Sequence, residues 1–398
     1  VFTGADAYKA ADLIAVTGLT PGKPVTAAEI DVAMQHLVDT GLFSDMRYTV
    51  DGKALTFALT PIASDQLLTA RYANFVWWKP QELTPLVHAR IPLFDGHIPV
   101  TGTMKDQVAS ALTALVLEKG VKAEVTSVSA SDRIGEPVSR TDFSISYPPV
   151  RVGEVRIDQV SGAAAAKIDE IRKRFVGQEY DVDQTAPALV GNLRDAYLDL
   201  GYLDIAADPP AHSAPREGPA AILVDLTETV REGSVYRVSQ MVWPESAIVP
   251  KASLSEAASL KAGDPASRIE LLSTVAKAER RFAAAGYIDA KMSVEPRKDE
   301  ARHEVAYNFS VTPGEQYALA SVKTLNLSAD QQAEFDRNDK LVPGKPYNED
   351  EVRVLIQKLM TLRPFQGYEP HFGRMANPKT HLVTITFSFT RQGSRPPE

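Results

Sequence analysis

Residues 263–288 read GDPASRIELLSTVAKAERRFAAAGYI. A Gly-Asp-Pro turn leads in, a helix-forming run follows, and Gly286-Tyr287 closes it. Val275, Ala278 and Phe282 lie eleven, eight and four residues before the closing glycine. These offsets fall on one face of a helix. The closing glycine suits a helix end, where the residue past the last turn is least strained without a Cβ. Beyond it, residues 287–294 read as a strand, and Val305, Tyr307, Phe309 and Val311 alternate as a second one.

The same arrangement recurs along the chain. Closing glycines stand at Gly41, Gly120, Gly201, Gly286 and Gly367, at intervals of about 80 residues. Lead-in glycines stand at Gly22, Gly96, Gly177, Gly263 and Gly344. Eleven residues before each closing glycine come Ile30, Ala109, Val190, Val275 and Ile356; eight before come Ala33, Leu112, Leu193, Ala278 and Leu359. Four before come Leu37, Val116, Tyr197, Phe282 and one exception, Arg363. Thr26, Asp183 and Asn348 are placed to cap these helices. A leading strand opens each copy, at 72–77, 152–160, 235–243 and 317–324, and a first helix follows, as at 165–175 and 254–260. The unit is strand-helix-helix-strand-strand. The expected class is α+β, with five tandem units of a three-stranded mixed sheet packed on two helices. The expected bounds are 1–63, 64–149, 150–231, 232–313 and 314–391, with 392–398 as a tail. The first copy holds only the end of a leading strand at residues 1–4, so the natural chain is expected to begin upstream.

Composition narrows the chemistry. The 398 residues carry 43 Lys and Arg against 51 Asp and Glu, a net charge of −8 that argues against nucleic acid as a partner. Cysteine is absent, which removes disulfides, thiolate zinc sites and thiol nucleophiles. No apolar run reaches the roughly 18–20 residues that span a bilayer. The histidines, His36, His88, His97, His212, His303, His371 and His381, are scattered without ligand spacing. No nucleophile elbow, phosphate loop or dinucleotide fingerprint occurs. Asp169-Glu170 and Glu349-Asp350-Glu351 read as acidic helix starts, favoured by the helix dipole. The expectation is no enzyme, no cofactor and no metal.

Topology points to binding instead. The last two strands of a unit form a hairpin, and the leading strand arrives by a helical crossover that suits a parallel partner. The final strand then lies in the middle, and the strand after the closing glycine is an edge. Such an edge can accept an extended peptide through its unpaired backbone groups. In the third unit the candidate peptide-binding edge is Tyr202, Leu203, Asp204, Ile205, Ala206 and Ala207. The alternative is an inert edge protected by charges such as Asp204, Asp289 and Lys291. Tyr202, Tyr287 and Tyr368 follow closing glycines and are expected to pack at helix–strand corners. Of Trp77 and Trp78, one is expected on an outer strand face.

These residues resemble POTRA domains, the periplasmic repeats of the outer-membrane protein assembly (BamA) family. The features shared are the Gly-x-Pro lead-ins, the Gly-Tyr closures, the Gly-x-x-Tyr openings at Gly233 and Gly314, and the element order. The resemblance covers nearly the whole chain. It implies a non-enzymatic periplasmic module that binds unfolded outer-membrane protein clients by strand addition and docks accessory assembly subunits. It also implies a C-terminal membrane β-barrel of the same natural chain, absent from these residues. Two other implications stay open: the periplasmic POTRA region of a secretion or translocation porin, and a free-standing periplasmic scaffold. Sequence beyond Glu398 would separate them. The departures are Trp77-Trp78-Lys79-Pro80 in the second copy and Arg363-Pro364 in the fifth.

Overall fold

In the computed structural model, residues 1–391 are described; the tail read at 392–398 lies outside the described residues. The first sheet follows β1 (Phe2–Thr3), α1 (Ala10–Thr17), α2 (Ala27–Thr40), β2 (Phe43–Asp51) and β3 (Ala54–Pro61). The second follows β4 (Leu67–Tyr72), α3 (Pro80–His88), β5 (His97–Pro99), α4 (Met104–Glu118), β6 (Glu124–Ala130) and β7 (Arg140–Tyr147). The third has β8 (Val150–Asp158), α5 (Ala165–Phe175), α6 (Thr185–Asp199), β9 (Ala206–Ala207), β10 (Ala211–His212), β11 (Arg216–Glu217) and β12 (Ile222–Arg231). The fourth has β13 (Arg237–Val242), α7 (Lys251–Ala257), α8 (Arg268–Ala284), β14 (Lys291–Asp299) and β15 (Glu304–Thr312). The fifth has β16 (Ala318–Leu325), α9 (Ala329–Asn338), α10 (Glu349–Met360), β17 (Tyr368–Asn377) and β18 (Leu382–Arg391).

The class is α+β, and the sheets are mixed, with the final strand central. The orders are β1-β3-β2, β13-β15-β14 and β16-β18-β17. The leading strand runs parallel to the central one and the hairpin strand antiparallel. Two sheets exceed the expected three strands. The second gains β5 on the free side of β4, giving β5-β4-β7-β6. In the third, β12 pairs β8 on one side and the three short pieces β9, β10 and β11 on the other. Pro209, Pro210 and Pro215 fall between those pieces, and proline cannot donate to a ladder.

The helix faces explain the cores. Ala33, Leu112, Leu193, Ala278 and Leu359 are buried, as are Leu37, Val116, Tyr197 and Phe282. The third position of the stripe is shared by two residues, with Ile30 buried and Val275 and Ile356 packed against their cores. In the later copies Ala109, Val190, Val275 and Ile356 are half-buried, and Val108, Leu189, Thr274 and Leu355, one residue earlier, face the core. A spacing of four plus four holds the same face as four plus three. Where Arg363-Pro364 stands, α10 has already ended at Met360. A short turn, Arg363–Phe365, instead delivers fully buried Phe365. Central strands supply the facing layer: Val305, Tyr307 and Phe309 in one sheet, Val383, Ile385, Phe387 and Phe389 in another.

Local sequence fixes the helix starts. Thr26 and Glu29 make a reciprocal capping box, and Asn348 accepts from the Asp350 amide. At α6 the cap is Asp181 instead of Asp183: its Oδ1 accepts from the Asp183 and Gln184 amides. The leading strand of the second copy stops at Tyr72, short of the expected 72–77. Trp77 and Trp78 are therefore off the strand, both half-buried, with ring centroids 5.9 Å apart. By contact density the chain forms two compact units, Val1–Arg194 with Ala206–Arg231, and Asp195–Ile205 with Glu232 onward. Among the described residues no helix is long and apolar enough to cross a membrane.

Candidate functional site

The six residues singled out in the third copy do not form one strand. Gly201 closes α6 in the left-handed region, at φ 91°. Tyr202 is buried, meets Val235 in an isolated antiparallel bridge, and sets its ring edge-on to Tyr197 at 5.4 Å. Leu203 and Asp204 are in a turn, and Ile205 is buried beyond it. Ala206 and Ala207 alone join the sheet, opposite Arg231 and Val230.

The turn has a physical cause. The Asp204 carboxylate accepts from the Tyr236 hydroxyl at 2.5 Å and pairs with Lys298 at 2.5 Å. The Lys298 ammonium and then the Tyr236 hydroxyl hold the Asp204 carboxyl below the usual carboxylate range. Asp204 in turn pushes the Tyr236 hydroxyl up to about 12. The backbone joins the same place: the Tyr236 amide donates to Gly201 O at 2.8 Å, and a Cβ on Gly201 would sit 3.0 Å from Ala266 N. The arrangement repeats one copy later. The Tyr317 amide donates to Gly286 O at 2.8 Å, a Cβ on Gly286 would meet Tyr317 O at 2.9 Å, and Asp289 raises the Tyr317 hydroxyl. His303 and His381, both at positive φ, set their rings edge-on to Tyr236 and Tyr317 at 5.7 and 5.5 Å. The sequence reading named Asp204 and Asp289 as edge charges and His303 and His381 as scattered histidines, without joining them to the two tyrosines. The signal was present in Gly-Tyr-x-Asp at 201 and 286 and His-x-Val at 303 and 381.

The two edges of each sheet are unequal. In the third, fourth and fifth copies the start of the leading strand is sealed by the lead-in segment that carries the first glycine of the motif. The Val152, Val238 and Leu319 amides donate to the Gln178, Asp264 and Lys345 carbonyls, at 2.9 Å in each case. Gly177, Gly263 and Gly344 donate back to Val152, Val238 and Leu319 O. In the second sheet β5 performs this sealing, with Leu67, Leu68 and Thr69 opposite Pro99, Ile98 and His97. The hairpin strands β2, β6, β14 and β17 end their sheets, and among the described residues no further strand pairs with their outer sides. β14 carries Pro296 and β17 carries Pro370, which protect an edge. β2 and β6 have no proline, and β2 is the longer, with Tyr48 and Val50 exposed. Among the described residues no group of three or more His, Cys, Asp or Glu is placed to hold a metal ion.

Residues 236–314 match the family described as POTRA, surface antigen variable number repeat. Among solved structures, POTRA domains 3–5 of Haemophilus influenzae BamA are 14% identical, over 61% of this chain and 96% of that one, with a TM-score of 0.42. POTRA domains 1–3 of the periplasmic domain of Omp85 from Anabaena are 15% identical, over 62% and 96%, with a TM-score of 0.27. CdiB from Escherichia coli is 14% identical over 60% of this chain and 36% of its own, with a TM-score of 0.21. A search of curated proteins found no match.

Proposed function

From a POTRA repeat at residues 236–314, in a chain whose sheets repeat one element order, we propose a non-enzymatic periplasmic module of an outer-membrane β-barrel assembly factor. It holds nascent outer-membrane proteins by strand addition and docks accessory subunits. The barrel belongs to the same natural chain, following these residues. The observation that supports strand addition is the inequality of the edges: lead-in segments close one side of the leading strands, and hairpin strands leave the other side open.

The reading favours β2 as a client edge over residues 202–207. Past a register shift at Ser44, residues 45–51 of β2 form seven residues of regular, proline-free ladder with outward backbone groups, whereas 202–207 offers only Ala206 and Ala207. Affinity comes from main-chain pairing, so binding is weak and tolerant of client sequence. Successive residues of an edge point their amides alternately inward and outward. Arg47→Pro and Tyr48→Pro therefore remove one inward and one outward donor. Titration with an extended peptide of alternating apolar and polar residues, followed by amide chemical shifts, tests this. Shifts along β2, and weaker binding by the outward proline variant with its sheet intact, are expected. Shifts confined to helices, or undiminished binding by both folded variants, contradict the reading.

A further inference from the structure

The joints between successive sheets are not built alike. After the first, third and fourth copies the closing glycine itself docks: Gly41 lies against Thr101, Gly201 against Tyr236 and Ala266, and Gly286 against Tyr317, with no room for a Cβ. Gly120, which closes the second copy, has nothing within 4 Å of where its Cβ would be. The joint that follows it lacks this lock.

Arg71 stands there instead. It lies on β4, directly opposite Asp142 of β7, and its side chain is less than a fifth exposed. Its Nη2 reaches Asp181 at 2.5 Å and its Nε reaches Asp183 at 2.7 Å, with Asp142 at 3.8 Å from Nη1. Asp181 and Asp183 belong to the connection between α5 and α6, so one guanidinium on the second sheet grips a helix start in the third copy. The planar fork of arginine suits two carboxylates held at fixed positions, and the Arg71–Asp181 pair, each side chain less than a quarter exposed, is costlier to break on one side only than the pair with the exposed Asp183. Arg140 pairs with Asp142 at 2.9 Å, which keeps that carboxylate compensated.

Two further contacts fix the same joint. The Val182 amide donates to Ala73 O at 2.7 Å. Tyr72, Phe75, Trp78 and Pro80 from the second copy close on Tyr180 and Val182 from the third, leaving about 10 Å³ between them, no more than one water needs. The Trp77-Trp78-Lys79-Pro80 departure in the sequence thus has a use, since Trp78 and Pro80 are part of this packing. The connection itself is short, with Pro148 and Pro149 between β7 and β8, and proline restricts its own φ.

We propose that the β4–β7 sheet and the β8–β12 sheet move as one rigid body, clamped by Arg71 in place of the glycine lock. A partner that touches both sheets then meets a preset spacing, with no ordering cost at this joint. The chain has no cysteine, so two can be introduced for spin labels without background. Ser129→Cys on β6 and Glu170→Cys on α5 are exposed positions in the two sheets' domains. Distances between the labels are measured by double electron–electron resonance in the full chain. The parent should give one narrow distribution. Arg71→Met should lose that narrow peak and lose hydrogen-exchange protection at the Val182 amide. The double substitution Asp181→Asn with Asp183→Asn should do the same. It keeps a side-chain carbonyl at position 181 that can still cap α6, so folding is preserved if Arg71→Met misfolds. A parent distribution that is already broad, or folded variants as narrow and as protected as the parent, would overturn the clamp.

Discussion

At Gly201 the backbone is at φ 91° and the space a side chain would take is filled by Ala266 N at 3.0 Å and Tyr236 O at 3.1 Å. Gly367 has a similar φ, 78°, but open space around it. Alanine at Gly367 should therefore cost only the left-handed strain, about 1–2 kcal/mol. Alanine at Gly201 carries that strain and must also push two backbone groups apart. Denaturant unfolding of the two variants should show the larger loss for Gly201→Ala, and equal losses would mean that the close approach is unimportant. Glu228 is a second residue with a definite expectation. It faces the core of the third sheet, 3% exposed, and its Oε1 has no hydrogen-bond partner. Burial pushes its carboxyl up, a backbone hydrogen bond from Asp208 offsetting part of this. A carboxyl raised in the folded state contributes stability below its unfolded pKa and loses it as pH rises through the folded value. Glu228→Gln should accordingly stabilise the protein at pH 7 by about 1 kcal/mol, a gain that shrinks toward pH 4. Unfolding curves across that range check it; a pH-independent difference would show that the charge is not the cause.

Leu193 carries the argument at the scale of the element. It sits at the centre of the buried face of α6, fully inaccessible, between Leu189 and Tyr197. Leu193→Ala should cost about 2–5 kcal/mol by the transfer and cavity terms. Amide exchange should report the loss first in β8, α6 and β12. Uniform loss across every sheet would contradict a core local to that unit. The helices were legible in the sequence because two glycines frame each one and the apolar face repeats between them. The sheet order was legible from chain connectivity alone. The candidate edge in the third copy was not. Its first residues are drawn into a turn by Asp204, whose partners Tyr236 and Lys298 lie 32 and 94 residues away in the chain. Sequence alternation cannot show such distant partners. Pro209, Pro210 and Pro215 were the local warning, and they mark where that edge is cut into pieces. The sealing of leading strands by lead-in glycine segments was equally hidden, since Gly-x-Pro reads as a turn whether or not its backbone pairs with a neighbour.

Across the whole molecule, a small set of solutions is used repeatedly. Each small sheet carries its own helices, as expected of repeat proteins in which neighbours alone interact. From the second copy onward lead-in segments close the leading edges, while no further described strand pairs with the outer sides of β2, β6, β14 and β17, two of which carry proline. The binding chemistry proposed above is backbone pairing along the outer sides of the hairpin strands. Hydrogen exchange of the full chain, with and without a saturating alternating apolar–polar peptide, tests this claim most directly. The account predicts new protection at alternate amides of β2, with none at the start of β8, β13 and β16, whose outer sides are already paired. Protection gained at those leading strands, or on helix faces with the hairpin edges unchanged, would contradict it.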